Sequence, residues 1–363
     1  MKYFIKTFGC AANEADSQRI ARFYEDKGCS PASTLKEADL VIINSCSVRQ
    51  SAEHRVYGLI NNLSKEGKER KIVLAGCMLR YGVSDLKKKL PNVDEFLRIG
   101  DVDFKVEPMR REKKEILVPI MEGCNQFCTY CVVPYARGRQ KSRPVEDIVC
   151  EVEKIVREGS SEITLLGQNV NSYGKDFKNS KFKIQNSEVQ FKAKKYQEKL
   201  KNQFSLLLSI LNDMHGIKKI SFLTSNPWDL GDEIIQAMKL SKVDKYLHLP
   251  VQSGDDQILR KMNRPYTSGE YINLVGKIRK LIPEIKIGTD IIVGFPGETE
   301  EQFENTVNLC RKVSFDKAYI ARYSPRQGTV ASRLTDDIIP KEKRRRWRIL
   351  DSLINKRASR NGE

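Results

Sequence analysis

Glu122-Gly123-Cys124-Asn125-Gln126-Phe127-Cys128-Thr129-Tyr130-Cys131 places three thiols at a C-x3-C-x2-C spacing, after the apolar run Ile116 to Ile120 and before Pro134. Three cysteines fill three of the four corners of an iron–sulfur cube, since a complete cluster takes four thiolates. The fourth iron is then open to a substrate or cofactor. Two plainer readings compete. Positions 124, 128 and 131 also fit the i, i+4, i+7 stripe of a helix, and cysteine is a common core residue. Gly123, Asn125 and Pro134 favour a loop. Zinc usually takes four ligands and C-x2-C pairs, and the nearby fourth thiol, Cys150, sits inside an expected helix.

Upstream, residues 1 to about 108 read as alternating strands and helices. Expected strands are Tyr3 to Thr7, Asp39 to Asn44 and Lys71 to Ala75, with helices at about 13–27 and 52–68. That alternation implies a parallel sheet. Each strand runs into a cysteine: Gly9-Cys10, Ser45-Cys46 and Gly76-Cys77. In open α/β sheets the carboxyl ends of the strands form one edge, where ligands bind. Cys10, Cys46 and Cys77 are therefore expected to converge as ligands of a second iron–sulfur cluster. Cys29, Cys150 and Cys310 lack that placement and read as packing residues.

Downstream, residues 115–335 carry six strand-then-helix units, with strands at 116–120, 162–166, 219–224, 245–250, 286–293 and 317–323. Helices are expected at 145–158, 205–214, 232–241, 267–281 and 300–313. Six such units suggest a partial TIM-type (βα)6 barrel, with chemistry at the C-terminal strand ends. The fold expectation is thus α/β throughout: an N-terminal parallel domain followed by the partial barrel. The unusual loops fall at those ends, and they include Gln168, Ser225 and Gln252. A Lys-rich stretch at 175–203 reads as an insertion, and 340–363 as a basic helix with a polar end.

Composition bounds the partners. The 363 residues hold 64 Lys and Arg against 47 Asp and Glu, a formal charge of +17. Such a surplus favours a polyanion, with nucleic acid first. Nine cysteines occur in a chain that opens without a signal peptide pattern and has no apolar run of transmembrane length. These features point to a reducing cytoplasm and no membrane, where cysteines act as ligands or catalytic groups.

The motifs together resemble a known family. Thr7-Phe8-Gly9-Cys10 with Asn13 and Asp16-Ser17, Asn44-Ser45-Cys46-Ser47-Val48-Arg49, and the Cys124 loop continuing through Val132-Val133-Pro134-Tyr135-Ala136-Arg137-Gly138 resemble the radical S-adenosylmethionine methylthiotransferases. Leu165-Leu166-Gly167-Gln168-Asn169-Val170-Asn171-Ser172-Tyr173 and His248-Leu249-Pro250-Val251-Gln252-Ser253-Gly254 are most similar to the tRNA branch. The resemblance covers about residues 1–350 apart from the insertion; the C-terminal RNA-binding TRAM barrel usual in the family is not among these residues.

The resemblance implies methylthiolation of C2 of N6-dimethylallyladenosine, 3′ of the anticodon in tRNA. Rival substrates are threonylcarbamoyl-adenosine and a ribosomal-protein aspartate; a non-catalytic iron–sulfur RNA-binding protein is the rival outside enzymes. It implies two 4Fe–4S clusters and S-adenosylmethionine, because the C2–H bond is too inert for acid–base chemistry. Cys124, Cys128 and Cys131 would hold the cluster that cleaves S-adenosylmethionine, and Cys10, Cys46 and Cys77 the auxiliary one. Gln168, Ser225 and Gln252 are candidate contacts for S-adenosylmethionine. Arg137, Arg139, Lys141 and Arg143 are candidate RNA contacts, since basic side chains hold phosphates while the base is read outside its stack. An external one-electron donor, a sulfur source and a monomeric state complete the expectation.

Overall fold

The computed structural model describes residues 1–48, 50–67, 69–102, 108–110, 116–177, 196 and 199–358. Backbone proximity divides the chain into two compact units, 1–125 with 132–143, and 126–131 with 144–363. Most of the Lys-rich insertion and the last five residues lie outside the described residues.

The first unit opens with β1 (Lys2–Thr7), α1 (Ala11–Glu25), β2 (Ser30–Pro31), β3 (Leu40–Ser45), α2 (Gln50–Lys65), β4 (Lys71–Gly76), α3 (Val83–Lys89) and β5 (Glu95–Leu97). The strands form one parallel sheet in the order β2-β1-β3-β4-β5. All six residues of β3 are buried, which explains its unbroken apolar run: a central parallel strand is covered on both faces. Side chains alternate between the faces. Val41 and Ile43 join Ile72 and Leu74 in a core with Val56, Ile60 and Leu63 of α2. Leu40 and Ile42 join Val73 and Ala75 in a second core with Ile20, Ala21 and Tyr24 of α1. Helices α1 and α2 thus cover opposite faces, as the period-2 geometry of a strand requires. The sequence reading had three strands here; β2 and β5 are two and three residues long, too short for periodicity to register.

The same unit continues with β6 (Ile116–Pro119), β7 (Met121–Glu122), α4 (Val133–Arg137) and β8 (Lys141–Ser142). β7 and β8 pair antiparallel, Met121 with Ser142 and Glu122 with Lys141. They tie together the two ends of the loop that carries Cys124, Cys128 and Cys131.

The second unit runs through α5 (Val145–Arg157), β9 (Glu162–Leu166), α6 (Gln203–Asn212), β10 (Lys219–Phe222), α7 (Asp232–Ala237), β11 (Tyr246–His248), α8 (Asp256–Lys261), α9 (Ser268–Leu281), β12 (Lys286–Val293), α10 (Glu300–Val313), β13 (Lys317–Arg322) and α11 (Pro340–Ala358). β9 pairs parallel with β10, and β11, β12 and β13 form a parallel run. A bridge between Ile220 and Val243 and a bond from Ser225 N–H to His248 O (3.3 Å) join the two sets. Strand order therefore follows chain order, as a (βα) barrel demands. Five of the six expected barrel strands lie in this unit; the first, β6, is grouped with the other. The short helix α8 escaped the sequence reading.

The last helix finishes the sheet. Asn355 of α11 accepts from Ala318 N–H (3.0 Å) and donates to Ala318 O (2.9 Å), and Trp347 Nε1 donates to Ile320 O (2.9 Å). These side chains satisfy the backbone of edge strand β13, which would otherwise be a template for pairing with another chain. Two of the helix's basic residues turn inward: Lys343 and Arg346 are buried, and Arg346 pairs with the buried Glu298 at 2.7 Å. No helix among the described residues is long and apolar enough to cross a membrane.

Candidate metal centres and cofactor site

Cys10 is the N-cap of α1, Cys46 directly follows β3, and Cys77 opens a short 3-10 turn after β4. β1, β3 and β4 are neighbours, with Thr7 opposite Asn44 and Ser45 opposite Gly76. The three thiols therefore share one edge of one sheet. Cys46 and Cys77 are buried, and all three are free of disulfides. Burial pushes the Cys77 thiol up to about 11; Arg137 opposes this, while Cys46, Asp16 and Cys10 push the same way. Among the described residues no three Cys, His, Asp or Glu side chains close around a single ion.

Buried polar groups brace this edge. Asn13 Nδ2 donates to Asn44 Oδ1 (3.1 Å) and Ser45 O (3.0 Å), and Asn44 Nδ2 returns a bond to Asn13 O (2.8 Å). Cys10 Sγ lies 3.5 Å from Asn13 Oδ1. The residue before Cys77 must be glycine: Gly76 has φ +88°, and a Cβ there would sit 2.3 Å from Ser45 O.

An ion-pair chain that the sequence reading did not foresee lies beside the trio. Arg137 Nη2 meets Asp16 Oδ2 at 2.6 Å, and Arg19 Nη2 meets Asp16 Oδ1 at 2.7 Å and Glu122 Oε1 at 2.6 Å. The Arg137 and Asp16 side chains are 8% and 3% exposed. Burial disfavours the Arg137 cation, but the Asp16 carboxylate outweighs it and raises its pKa. Arg137, grouped above with the RNA contacts, is thus turned inward. The i, i+3 spacing of Asp16 and Arg19 was the one sequence signal for this arrangement.

The loop at 123–132 is not helical; α4 begins only at Val133. The helical-stripe reading of the three cysteines therefore fails. Gly123 has φ +70°, and a Cβ would meet Arg139 O at 2.2 Å. Next to it Cys124 N–H donates to Gly138 O at 3.1 Å. Within the second unit, 126–131 is pinned to the end of α8: Thr129 N–H and Oγ1 donate to Met262 O (3.1 Å) and Lys261 O (2.8 Å), and Asn263 Nδ2 donates to Phe127 O (2.9 Å). Arg264, also unforeseen, is 8% exposed. Its Nη1 stands 3.7 Å from Cys128 Sγ and its Nη2 donates to Pro250 O at 2.6 Å. Its guanidinium also lies 4.6 Å from the Trp228 ring centroid, so the charge is held by a carbonyl and an aromatic face.

Gln168, Ser225 and Gln252 follow β9, β10 and β11. Gln168 Oε1, Asn169 Oδ1 and Ser225 Oγ are buried without hydrogen-bond partners among the described residues. Buried polar atoms are nearly always paired, so three orphans at adjacent strand ends suit a polar ligand. Thr224 (φ +70°) and Gln252 (φ +69°) occupy the left-handed region, a strain that clusters at functional sites. Of the remaining basic candidates, Arg139 and Lys141 are exposed. Arg143 instead donates from Nη1 to Pro119 O at 2.7 Å. Cys29 and Cys310 pack as expected, Cys29 against the α1 face of the sheet; Cys150 differs and is exposed on α5.

Residues 118–310 match the radical SAM superfamily and residues 2–98 match the uncharacterized protein family UPF0004. The chain is 42% identical over 97% of its length to a tRNA-2-methylthio-N(6)-dimethylallyladenosine synthase of Dehalococcoides mccartyi, covering 82% of that protein. It is 41% identical over 98% of its length to the synthase of the same name from a Thermoanaerobacter species, covering 78% of it. Among solved structures, the radical S-adenosylmethionine methyltransferase TsrM of Kitasatospora setae superposes with a TM-score of 0.59 at 13% identity, over 91% of this chain and 77% of that one, a likeness of fold. With a superfamily match across more than half its residues and relatives this similar over nearly its whole length, the chain belongs to the tRNA-2-methylthio-N6-dimethylallyladenosine synthase family of radical S-adenosylmethionine proteins.

Proposed function

We propose that this protein transfers a methylthio group to C2 of N6-dimethylallyladenosine, 3′ of the anticodon in tRNA, by a radical S-adenosylmethionine mechanism. The observation that carries the reading is a second thiol trio: Cys10, Cys46 and Cys77 share one sheet edge in addition to the C-x3-C-x2-C loop. A radical enzyme needs one such trio, whereas sulfur insertion gives a use to two. Cys124, Cys128 and Cys131 hold one 4Fe–4S cluster, and Cys10, Cys46 and Cys77 hold the other. When bound, these clusters supply reductive cleavage of S-adenosylmethionine and a site for the sulfur that is methylated and inserted.

The protein's own groups do the rest. Arg264 presents a buried cation to the Cys128 sulfur and steadies its negative charge. The orphaned Gln168 Oε1 and Ser225 Oγ, with the strained Gln252, offer polar contacts to S-adenosylmethionine. Arg139 and Lys141 are exposed and hold RNA phosphates, which fixes register without reading sequence. The partners are tRNA, an external one-electron donor and a sulfur source; the protein works as a cytoplasmic monomer.

The test is anaerobic reconstitution, iron analysis and mass spectrometry of tRNA nucleosides after reaction. Wild-type protein should carry two four-iron clusters and place the methylthio group on dimethylallyladenosine. The triple Cys→Ala variant at 124, 128 and 131, and the one at 10, 46 and 77, should each lose one cluster and all product. Unchanged iron in either variant refutes its ligand assignment. A methylthio mark found only on threonylcarbamoyl-adenosine, or on no nucleoside, refutes the substrate.

A further inference from the structure

One face of the β11-β12-β13 sheet is sealed. Leu247, Ile287, Thr289, Ile291 and Ala318 are at most 2% exposed and share that face, as the parallel register dictates. The other face carries Tyr246, His248, Asp290 and Tyr319, with Gly288 at its centre. The Tyr246 ring lies across Gly288: a Cβ there would meet the Tyr246 hydroxyl at 2.0 Å and His248 Nδ1 at 3.1 Å, so a side chain at 288 would displace Tyr246. His248 Nε2 is 3.0 Å from Asp290 Oδ2. The Tyr319 ring stands edge-on to the His248 ring, with centroids 5.6 Å apart.

This cluster is not a closed core. The Asp290 side chain is 40% exposed and Tyr319 is 50% exposed, an unusual amount for a large aromatic on a strand. Asp290 Oδ1 has no partner among the described residues. The backbone ties the cluster to the candidate cofactor loops: Ser225 N–H donates to His248 O, and Gln252 N–H donates to Asp290 O at 2.8 Å. An open aromatic face and a carboxylate oxygen, on strands bonded to the loops of Ser225 and Gln252, are complementary to a purine whose exocyclic nitrogen keeps one N–H.

We propose that Tyr319 and Asp290, the latter oriented by His248, form the subsite that reads the extruded substrate base. Tyr319 stacks on the purine and Asp290 Oδ1 accepts its N6–H. This rests on the functional reading above, and it adds a specificity determinant to it. Flipped bases are read by stacking and by hydrogen bonds to their edge, and both contributions have a known scale. Loss of the stack lowers affinity by about tenfold, and so does loss of a hydrogen bond to a charged acceptor.

The test uses reconstituted full-length protein and anticodon stem-loop RNAs that differ only at the target base. One carries N6-dimethylallyladenosine and one carries its oxygen-linked analogue, a purine with the same dimethylallyl group on an oxygen at C6, which has no N–H to donate. Wild-type protein should bind the first about tenfold more tightly. Asp290→Asn, whose amide can turn its donor to the RNA, should bring that ratio to within twofold; a purely structural role would not move it. Tyr319→Ala should weaken both RNAs about tenfold, and Tyr319→Phe should restore binding. A ratio unchanged in Asp290→Asn, or Tyr319→Ala binding as wild type does, overturns the proposal. Wild-type protein that makes no methylthio product overturns the functional reading instead, so the two failures are distinct.

Discussion

Replacing Arg137 by glutamine removes the cation from one end of a buried ion-pair chain. Asp16 would keep its 2.7 Å contact with Arg19, so its carboxylate would not be orphaned. Breaking a buried pair by removing one partner costs about 3–5 kcal/mol. The surviving Arg19 contact puts Arg137→Gln at the lower end, about 3 kcal/mol, or a fall on the order of 10 °C in the unfolding midpoint for a unit of roughly 100–150 residues. Asp16→Asn strips both guanidiniums of their shared anion and should cost more, about 5 kcal/mol. Arg139→Gln, at an exposed position two residues away, should stay within about 0.5 kcal/mol. The assay is thermal and urea unfolding of the metal-free protein, each followed by circular dichroism under anaerobic, reducing conditions. If Arg137→Gln and Arg139→Gln were equally stable, the burial argument would be wrong and Arg137 would return to the exposed RNA contacts.

Three further outcomes follow from the geometry. Gly123→Ala should cost about 1–3 kcal/mol of loop strain, because its φ is +70° and its Cβ would lie 2.2 Å from Arg139 O; iron analysis should show the loop cluster depleted and the auxiliary one kept. Arg264→Gln removes a cation 3.7 Å from Cys128 Sγ and should make that cluster harder to reduce, by on the order of 50 mV in an electron paramagnetic resonance redox titration. Asn355→Leu leaves Ala318 N–H and O of the edge strand without partners; it should cost about 2 kcal/mol in urea unfolding and promote self-association measurable by light scattering.

Why the strands were legible is clear from β3 and β12. The apolar run of β3 and the alternate residues Ile287, Thr289, Ile291 and Val293 of β12 record burial on both faces and on one face respectively. β12 falls at Lys286–Val293 and α10 at Glu300–Val313, as read. The cysteine placement was legible for the same reason: each thiol follows a strand end, and strand direction in a parallel sheet is set by the connecting helices. The two-residue strand β2 and six-residue helix α8 carry too few residues for a period and were missed.

Local sequence, then, determined the alternation of strand and helix, the loop thiols and the sheet edge where Cys10, Cys46 and Cys77 meet. Only the folded chain decided which charges are solvated. Arg137, Arg139, Lys141 and Arg143 are near-equivalent in sequence, yet one is buried against Asp16, one holds a carbonyl and two lie at exposed positions. Arg264 was unremarkable until the fold set it against Cys128, and Tyr319 until register placed it beside Asp290. The physical reason is range. Backbone pattern is a property of neighbours along the chain, whereas the environment of a charge or an aromatic face is made by residues tens to hundreds of positions away.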